Sequence, residues 1–275
     1  MQSKISKLPL IVVWLVVALP GIAPADDGVA AQANLAQQAN NPIANLISVP
    51  LQFGLNTDVG PRDRDQHVLS IQPVIPFELS DDWLLVTRWV LPVINNPDVD
   101  GGRTFGLGDL NPAFFFVPSA KLTGWSENLL IGVGPNLQVP TATDSELGGD
   151  KLGLGPTALV VYTKDKWLFG ALASNTWSLG DGGDETNELL FEPFFTYNFT
   201  EELYWISDFT ITADWNAPSS ERWVVPIGGG VGRTFEIGKQ ALNANLQANK
   251  NVGNSSDDVG PDWTFQFTFQ LLFPK

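Results

Sequence analysis

The chain has 275 residues, of which only 16% are charged, against roughly 25% in an average soluble protein. Lys and Arg total 15 against 30 Asp and Glu, a formal net charge of -15; with no basic cluster to neutralise phosphates, nucleic acid is excluded as a partner. Cysteine is absent and His67 is the single histidine, which removes disulfides, thiolate zinc sites, Cys nucleophiles and multi-histidine metal centres together, so neither a metal nor a cofactor is expected.

At the N-terminus Lys4 and Lys7 precede the apolar run Leu8 to Leu19, followed by Pro20, Gly21 and Ala23-Pro24-Ala25. A charged n-region, a short h-region and an A-x-A site make an export signal, and the run falls short of the ~20 residues of a spanning helix. The expected division is a cleaved signal peptide over 1–25, an N-terminal segment over 26–46 that forms a plug or lies in the periplasm, and a β-domain over 47–275. Within the second part, Ala30 to Asn40 is rich in Ala, Gln and Asn and predicts a short helix that stops at Pro42.

From Ile47 the hydrophobic period becomes two. Ile47, Val49, Leu51, Phe53 and Leu55 alternate with Ser48, Pro50, Gln52 and Gly54. Near the C-terminus Trp263, Phe265, Phe267, Phe269, Leu271 and Phe273 alternate with Thr264, Gln266, Thr268 and Gln270. Such alternation builds strands with two different faces. About twelve segments of this kind follow one another, each close to the ~9–11 residues of a tilted membrane strand: 47–55, 67–79, 83–93, 105–117, 128–139, 153–162, 167–177, 188–198, 203–214, 222–233, 240–249 and 262–273. Short links at Ser80-Asp82, Thr163-Lys166, Phe199-Glu202 and Thr234-Lys239 alternate with longer ones at Asn56-Gln66, Asn95-Thr104, Pro140-Leu152, Ser178-Asn187 and Lys250-Pro261. That layout predicts an all-β fold: an antiparallel up-and-down transmembrane β-barrel of the bacterial outer membrane, with periplasmic turns and outer loops.

Tryptophan supports the same reading. Trp83, Trp125, Trp167 and Trp205 sit near the short turns, and Trp177, Trp215, Trp223 and Trp263 near the long loops. Indole prefers the water–hydrocarbon boundary, so two belts are expected of a membrane barrel. A soluble sandwich would instead put its large aromatics mid-strand and inward.

Asn41-Pro42-Ile43-Ala44-Asn45-Leu46-Ile47-Ser48-Val49-Pro50-Leu51-Gln52-Phe53 resembles the opening of a bacterial outer-membrane family associated with meta-pathway phenol degradation, whose members often carry the label "neuromedin U". Gly106-Leu107-Gly108-Asp109-Leu110, Pro140-Thr141-Ala142-Thr143, Gly155-Pro156-Thr157 and the closing Leu272-Phe273-Pro274-Lys275 are similar to its later blocks. The resemblance implies a β-barrel with a transport role and brings no catalytic residues.

The strand parity assigns Arg88, Glu192, Asp208, Asn136, Gln138, Asn245 and Gln266 to the lumen as selectivity candidates, together with Gln52, Gln72, Thr210, Thr212, Asn243, Gln247 and Gln270. A mid-strand charge facing lipid costs roughly 2–4 kcal/mol for Arg, so the three charged residues are expected inside. They form either a constriction that selects solutes or a mutually paired structural cluster. Leu168, Leu172, Phe194 and Tyr204, with Val74, Leu84, Val86, Leu130 and Ile206, are apolar lumen candidates. These suit a greasy conduit, packing against a plug, or plain packing across a small barrel. Acidic loop residues such as Asp144, Glu146 and Asp150 read as solvated tips. His67 and Ser70 differ in parity and so point to opposite faces of one strand, which argues against a hydrolase. The expected function is an outer-membrane channel passively admitting small molecules, hydrophobic or aromatic among them. The alternative is a non-conducting structural or loop-binding barrel. The expected partners are outer-membrane lipid and lipopolysaccharide, the barrel-assembly machinery and a small-molecule solute.

Overall fold

A computed structural model describes residues 35, 37–60, 62–98, 101–180, 185–253 and 260–274. The segment expected to be a signal peptide, Asp181, Asp184, Asp257, Asp258 and Lys275 lie outside them. Sixteen strand segments, β1 to β16, follow in chain order: Leu46–Val59, Arg64–Ile71, Val74–Ser80, Trp83–Pro97, Arg103–Leu107, Asn111–Pro118, Leu129–Gln138, Gly153–Lys164, Trp167–Ser178, Asn187–Asn198, Leu203–Asp208, Ile211–Asp214, Trp223–Val224, Pro226–Ile237, Gln240–Asn251 and Trp263–Pro274.

They make twelve staves of one closed antiparallel barrel, because β2/β3, β5/β6, β11/β12 and β13/β14 are pairs that share a stave. Closure comes from β1 pairing with β16, Leu46 opposite Pro274 through Thr57 opposite Trp263. Hydrocarbon offers backbone N–H and C=O groups no partner, so a ring without edges is the stable form of a strand array in a bilayer. Proline sits beside two of the stave breaks: Pro73 has no N–H for the ladder between β2 and β3, and Pro226 opens β14.

The alternation fixes which face is which. Along β8, Gly153, Gly155, Thr157, Leu159 and Val161 are buried, while Leu154, Pro156, Ala158, Val160 and Tyr162 are exposed. On β16, Phe267 and Phe273 are exposed while Thr268, Gln270 and Leu272 are buried. The apolar residues of the outer face therefore meet lipid, and the other face meets the lumen. At the short-turn rim Trp167 stacks on Phe169 with centroids 5.4 Å apart and tilts on Tyr197 at 4.5 Å. Phe195 and Trp205 extend this band at 4.4 Å. At the opposite rim Trp215 meets Trp223 edge-on at 5.6 Å. These are the two aromatic belts.

The turns carry the conformations that tight hairpins require. Asp165 (φ 52) and Gly238 (φ 65) are left-handed in the links 165–166 and 238–239. Two links expected to be long are short. β1 and β2 run on to leave only 60–63 between them, and β4 and β5 leave only 98–102. Asn56 donates to Gln66 across this extension at 2.8 Å, and Gln66 donates to Asn96 at 2.7 Å, so polar pairing carries the ladder beyond the apolar stretch. A one-turn helix, Ala120–Thr123, lies in the link after β6, capped by Ser119 at its start and by Gly124 in the left-handed region at its end.

The N-terminal segment enters the barrel. Leu35 and residues 37–39 are helical, with a turn at residue 40. Gln37 donates to the Asp165 carbonyl in a short turn (2.6 Å), and Gln270 on β16 donates to the Ala39 carbonyl (3.2 Å). Leu35, Ala39, Ala44 and Leu46 pack with Ala241 and Leu272. Ile43 lies deeper, in a cluster with Val74, Val86, Phe115, Val117, Leu159, Val161, Leu168 and Leu172. Near the short turns, the side of the bore formed by β3, β4, β6, β8 and β9 is thus an apolar core, one member of which comes from outside the wall, while buried Thr196, Asn198, Thr234 and Asn243 line the side formed by β10, β14 and β15.

Candidate functional site

Above this core the lumen turns polar. An outer chamber of about 460 Å³ is lined by residues that include Asn136, Gln138, Thr176, Glu188, Thr212 and Gln266. An inner chamber of about 130 Å³ is lined by Ala39, Asn40, Asn41 and Pro42 of the N-terminal segment together with Phe194, Ile206 and Asn245. Gln52, Gln72, Arg88, Leu172, Glu192 and Asp208 border both. They form a waist between the two.

The waist is held by one ion pair that crosses the bore. Arg88 on β4 reaches Glu192 on β10, two strands that are not neighbours in the ring. Arg88 Nη1 donates to Glu192 Oε2 at 2.7 Å and Nη2 to Oε1 at 3.4 Å. Nη2 also donates to Gln72 Oε1 at 3.0 Å, and Gln72 Nε2 donates to Gln52 Oε1 at 2.5 Å. On the far side Thr210 Oγ1 donates to Glu192 Oε1 at 3.5 Å. The guanidinium fork suits this task because its planar donors match a carboxylate in two places at once. Two arms from opposite walls thereby narrow the passage at mid-height.

Asp208 stands beside this bridge, within reach of the Arg88 and Glu192 charges but without a hydrogen bond to either. Its backbone N–H donates to Gln247 Oε1 at 3.0 Å. Its carboxylate accepts no hydrogen bond and forms no ion pair among the described residues.

All seven polar selectivity candidates line a chamber. Arg88, Glu192 and Asp208 meet at the waist, Asn136, Gln138 and Gln266 face the outer chamber, and Asn245 faces the inner one. The Asn136 amide and the Thr176 hydroxyl share a hydrogen bond of 2.6 Å. Asn243 and Gln247 are buried in the wall lining. Asn243 accepts from the Tyr204 hydroxyl at 2.6 Å and donates to Gln270 at 3.1 Å.

The apolar candidates divide. Leu172 and Phe194 border the inner chamber, whereas Leu168 and Tyr204 are fully buried and border neither chamber. Two glycines explain how the rings fit. A Cβ on Gly170 would stand 2.1 Å from the Phe194 ring, and one on Gly232 would stand 2.2 Å from that of Tyr204. Each aromatic lies over a neighbouring strand that has no side chain there. Of the three explanations for lumen grease, packing describes Leu168, and Ile43 of the inserted segment is among its neighbours.

Sequence reasoning placed residues 26–46 either as a plug or in the periplasm, but did not single out Ile43 or residues 39–42 as lumen residues, because their burial follows no period. It also missed Glu188, which lies too near the rim to carry a mid-strand signal. Asp109 is a further buried carboxylate at the outer end. It accepts from Gly149 N at 2.7 Å, Gln138 Nε2 at 2.9 Å and Ala142 N at 3.2 Å. Thr141 and Thr143 accept from the backbone N–H groups of Leu110 and Leu107 at 2.9 and 3.0 Å. The blocks Gly106–Leu110 and Pro140–Thr143, distant in sequence, are the two sides of this contact, which folds the 139–152 loop against the wall.

His67 stacks on the exposed ring of Phe53 at 6.1 Å, and Ser70 lines the outer chamber. They stand on opposite faces of β2, so His67 cannot act as a base on Ser70.

No family model matches the sequence. No curated protein matches it either. Solved structures do share the fold. An outer-membrane channel from Pseudomonas putida F1 superposes with a TM-score of 0.58 at 16% identity, over 92% of this chain and 100% of that one. The NanC porin superposes with a TM-score of 0.51 at 7% identity, over 83% and 100%. The outer-membrane phospholipase A of Escherichia coli reaches a TM-score of 0.47 at 12% identity, over 89% and 97%. The first two of these give the chain the fold of bacterial outer-membrane barrels.

Proposed function

We propose that the protein is a passive outer-membrane channel that admits small molecules, hydrophobic or aromatic ones among them, to the periplasm, and that residues 35–46 are its plug. The observation that carries this reading is the shape of the lumen. A polar chamber leads to a paired-charge waist, and the small chamber beyond it is lined in part by residues 39–42 of a segment that is not part of the wall. A barrel serving only as envelope structure has no use for a hydrated outer chamber ending on a charged constriction. The resemblance to the phenol-degradation family favours aromatic cargo, and so does the meeting of Leu172, Phe194 and Ile206 with polar groups at the inner chamber.

The filled periplasmic half favours the second reading, a non-conducting barrel. Planar bilayers separate the two. Stepwise conductance from the folded, purified protein supports the channel. Silence from protein that keeps its heat-modifiable gel mobility supports the structural barrel. Uptake of radiolabelled aromatic probes by deletion and complemented cells then tests the cargo.

A further inference from the structure

We infer that the waist is a selectivity site for small organic cations and that Asp208 sets its sign. The inference rests on the channel reading above and goes on to specify what passes.

Arg88 is the one cation among the described residues lining either chamber, and its fork is committed. Two of its nitrogens are engaged by Glu192, and one of these is shared with Gln72. Its charge acts on both Glu192 and Asp208, so the three groups together hold one carboxylate more than their single cation matches. Asp208 adds a carboxylate that no donor satisfies, at the point where the two chambers meet. Glu188 adds another on the approach from outside. With these carboxylates ionised, both chambers carry a net negative lining. A charge in a narrow, low-dielectric bore acts on a solute far more strongly than the same charge in water, and acidic linings select cations.

The neighbours of Asp208 define the rest of the solute. Leu172, Phe194 and Ile206 border the inner chamber beside it, and Asn245, Thr268 and Gln270 complete its polar side. A protonated amine on a compact apolar or aromatic body fits this setting, with the ammonium at Asp208 and the body against the three apolar side chains, where the Phe194 ring adds cation–π attraction. An aromatic carboxylate of the same size meets like charge. The single available counter-charge, Arg88, is already paired.

Two measurements on the full-length processed protein test this. In planar bilayers under a KCl gradient, the zero-current potential is expected to show K⁺ preference over Cl⁻. That preference should fall about tenfold in Asp208→Asn and invert in the Asp208→Asn, Glu192→Gln double variant, where Arg88 is left unmatched. In calorimetric titration of detergent-folded protein, benzylammonium is expected to bind, benzoate not to bind, and Asp208→Asn to weaken benzylammonium about tenfold. Chloride preference in the wild type, benzoate binding as tightly as benzylammonium, or an Asp208→Asn variant identical in both measurements would overturn the proposal. Silent bilayers together with normal benzylammonium binding would defeat the channel reading and leave the cation site standing.

Discussion

Arg88 occupies a position where an unpaired charge of either sign would be costly. Its side chain and that of Glu192 keep 20% and 16% of their exposure, so water still reaches the pair and screens part of its attraction. Removing one partner is nevertheless worse than removing both, because the survivor keeps its desolvation cost without its counter-ion. Arg88→Ala leaves Glu192 and Asp208 on the same waist with no cation between them. It is expected to lose about 2–3 kcal/mol of stability, read from urea unfolding in lipid vesicles by tryptophan fluorescence. Arg88→Met combined with Glu192→Leu should recover most of that loss. A double variant as unstable as Arg88→Ala alone would show that the pair does more than cancel charge. This site was only partly legible in the sequence. Parity put Arg88, Glu192 and Asp208 on the inner face, since each has at least one apolar neighbour of the opposite parity: Trp89, Phe191 and Pro193, and Phe209. It could not say that Arg88 would choose Glu192, 104 positions away, over Asp208, because that choice depends on which staves oppose each other across the bore.

The elements divide into those built by periodicity and those built by distant contacts. Every stave falls where alternation predicts it, and β16 shows why: Thr264, Gln266, Thr268 and Gln270 on one face and Phe265, Phe267, Phe269 and Leu271 on the other leave no second register that turns the same set inward. The stave breaks and the inserted segment are another matter. Ile43 lies in no repeating pattern, and its burial is created by residues from β3, β4, β6, β8 and β9. Ile43→Asp would place a carboxylate in that dry cluster, at a cost that releasing the segment avoids. Released, it should unblock the periplasmic half and raise single-channel conductance several-fold, while gel mobility of the folded barrel stays unchanged. Unaltered conductance would mean that the segment is not the barrier. The outer loop gives a contrasting case. Asp109→Ala removes the acceptor shared by Gly149 N, Ala142 N and Gln138 Nε2, leaving buried donors unpaired. The 139–152 loop should then be cut readily by proteases added to intact cells, with the β-ladder still protected from hydrogen exchange.

At the scale of the whole molecule, stability comes from matching two solvents at once. The outer face must satisfy hydrocarbon and the inner face must satisfy water, the charged waist and the apolar insert, and a single strand serves both in alternate residues. Adjacent positions on β16 therefore make the sharpest test of the architecture. Phe267 is exposed on the outer face, and Gln266 lines the outer chamber one residue away. The partners of Phe267 in the ring are Phe53 on β1 and Leu246 on β15, both apolar, whereas those of Gln266 are Gly54 and Gln247. Arginine at the first position would stand among aliphatic and aromatic side chains in the hydrocarbon, at a cost of roughly 2–4 kcal/mol near mid-bilayer. Arginine at the second would reach a hydrated cavity that already carries Glu188, Glu192 and Asp208, and should cost well under 1 kcal/mol. Reversible folding into phosphatidylcholine vesicles, followed by tryptophan fluorescence against guanidinium, measures both. Equal losses at the two positions would mean that β16 does not separate lipid from lumen, and a closed membrane barrel would no longer explain the sequence.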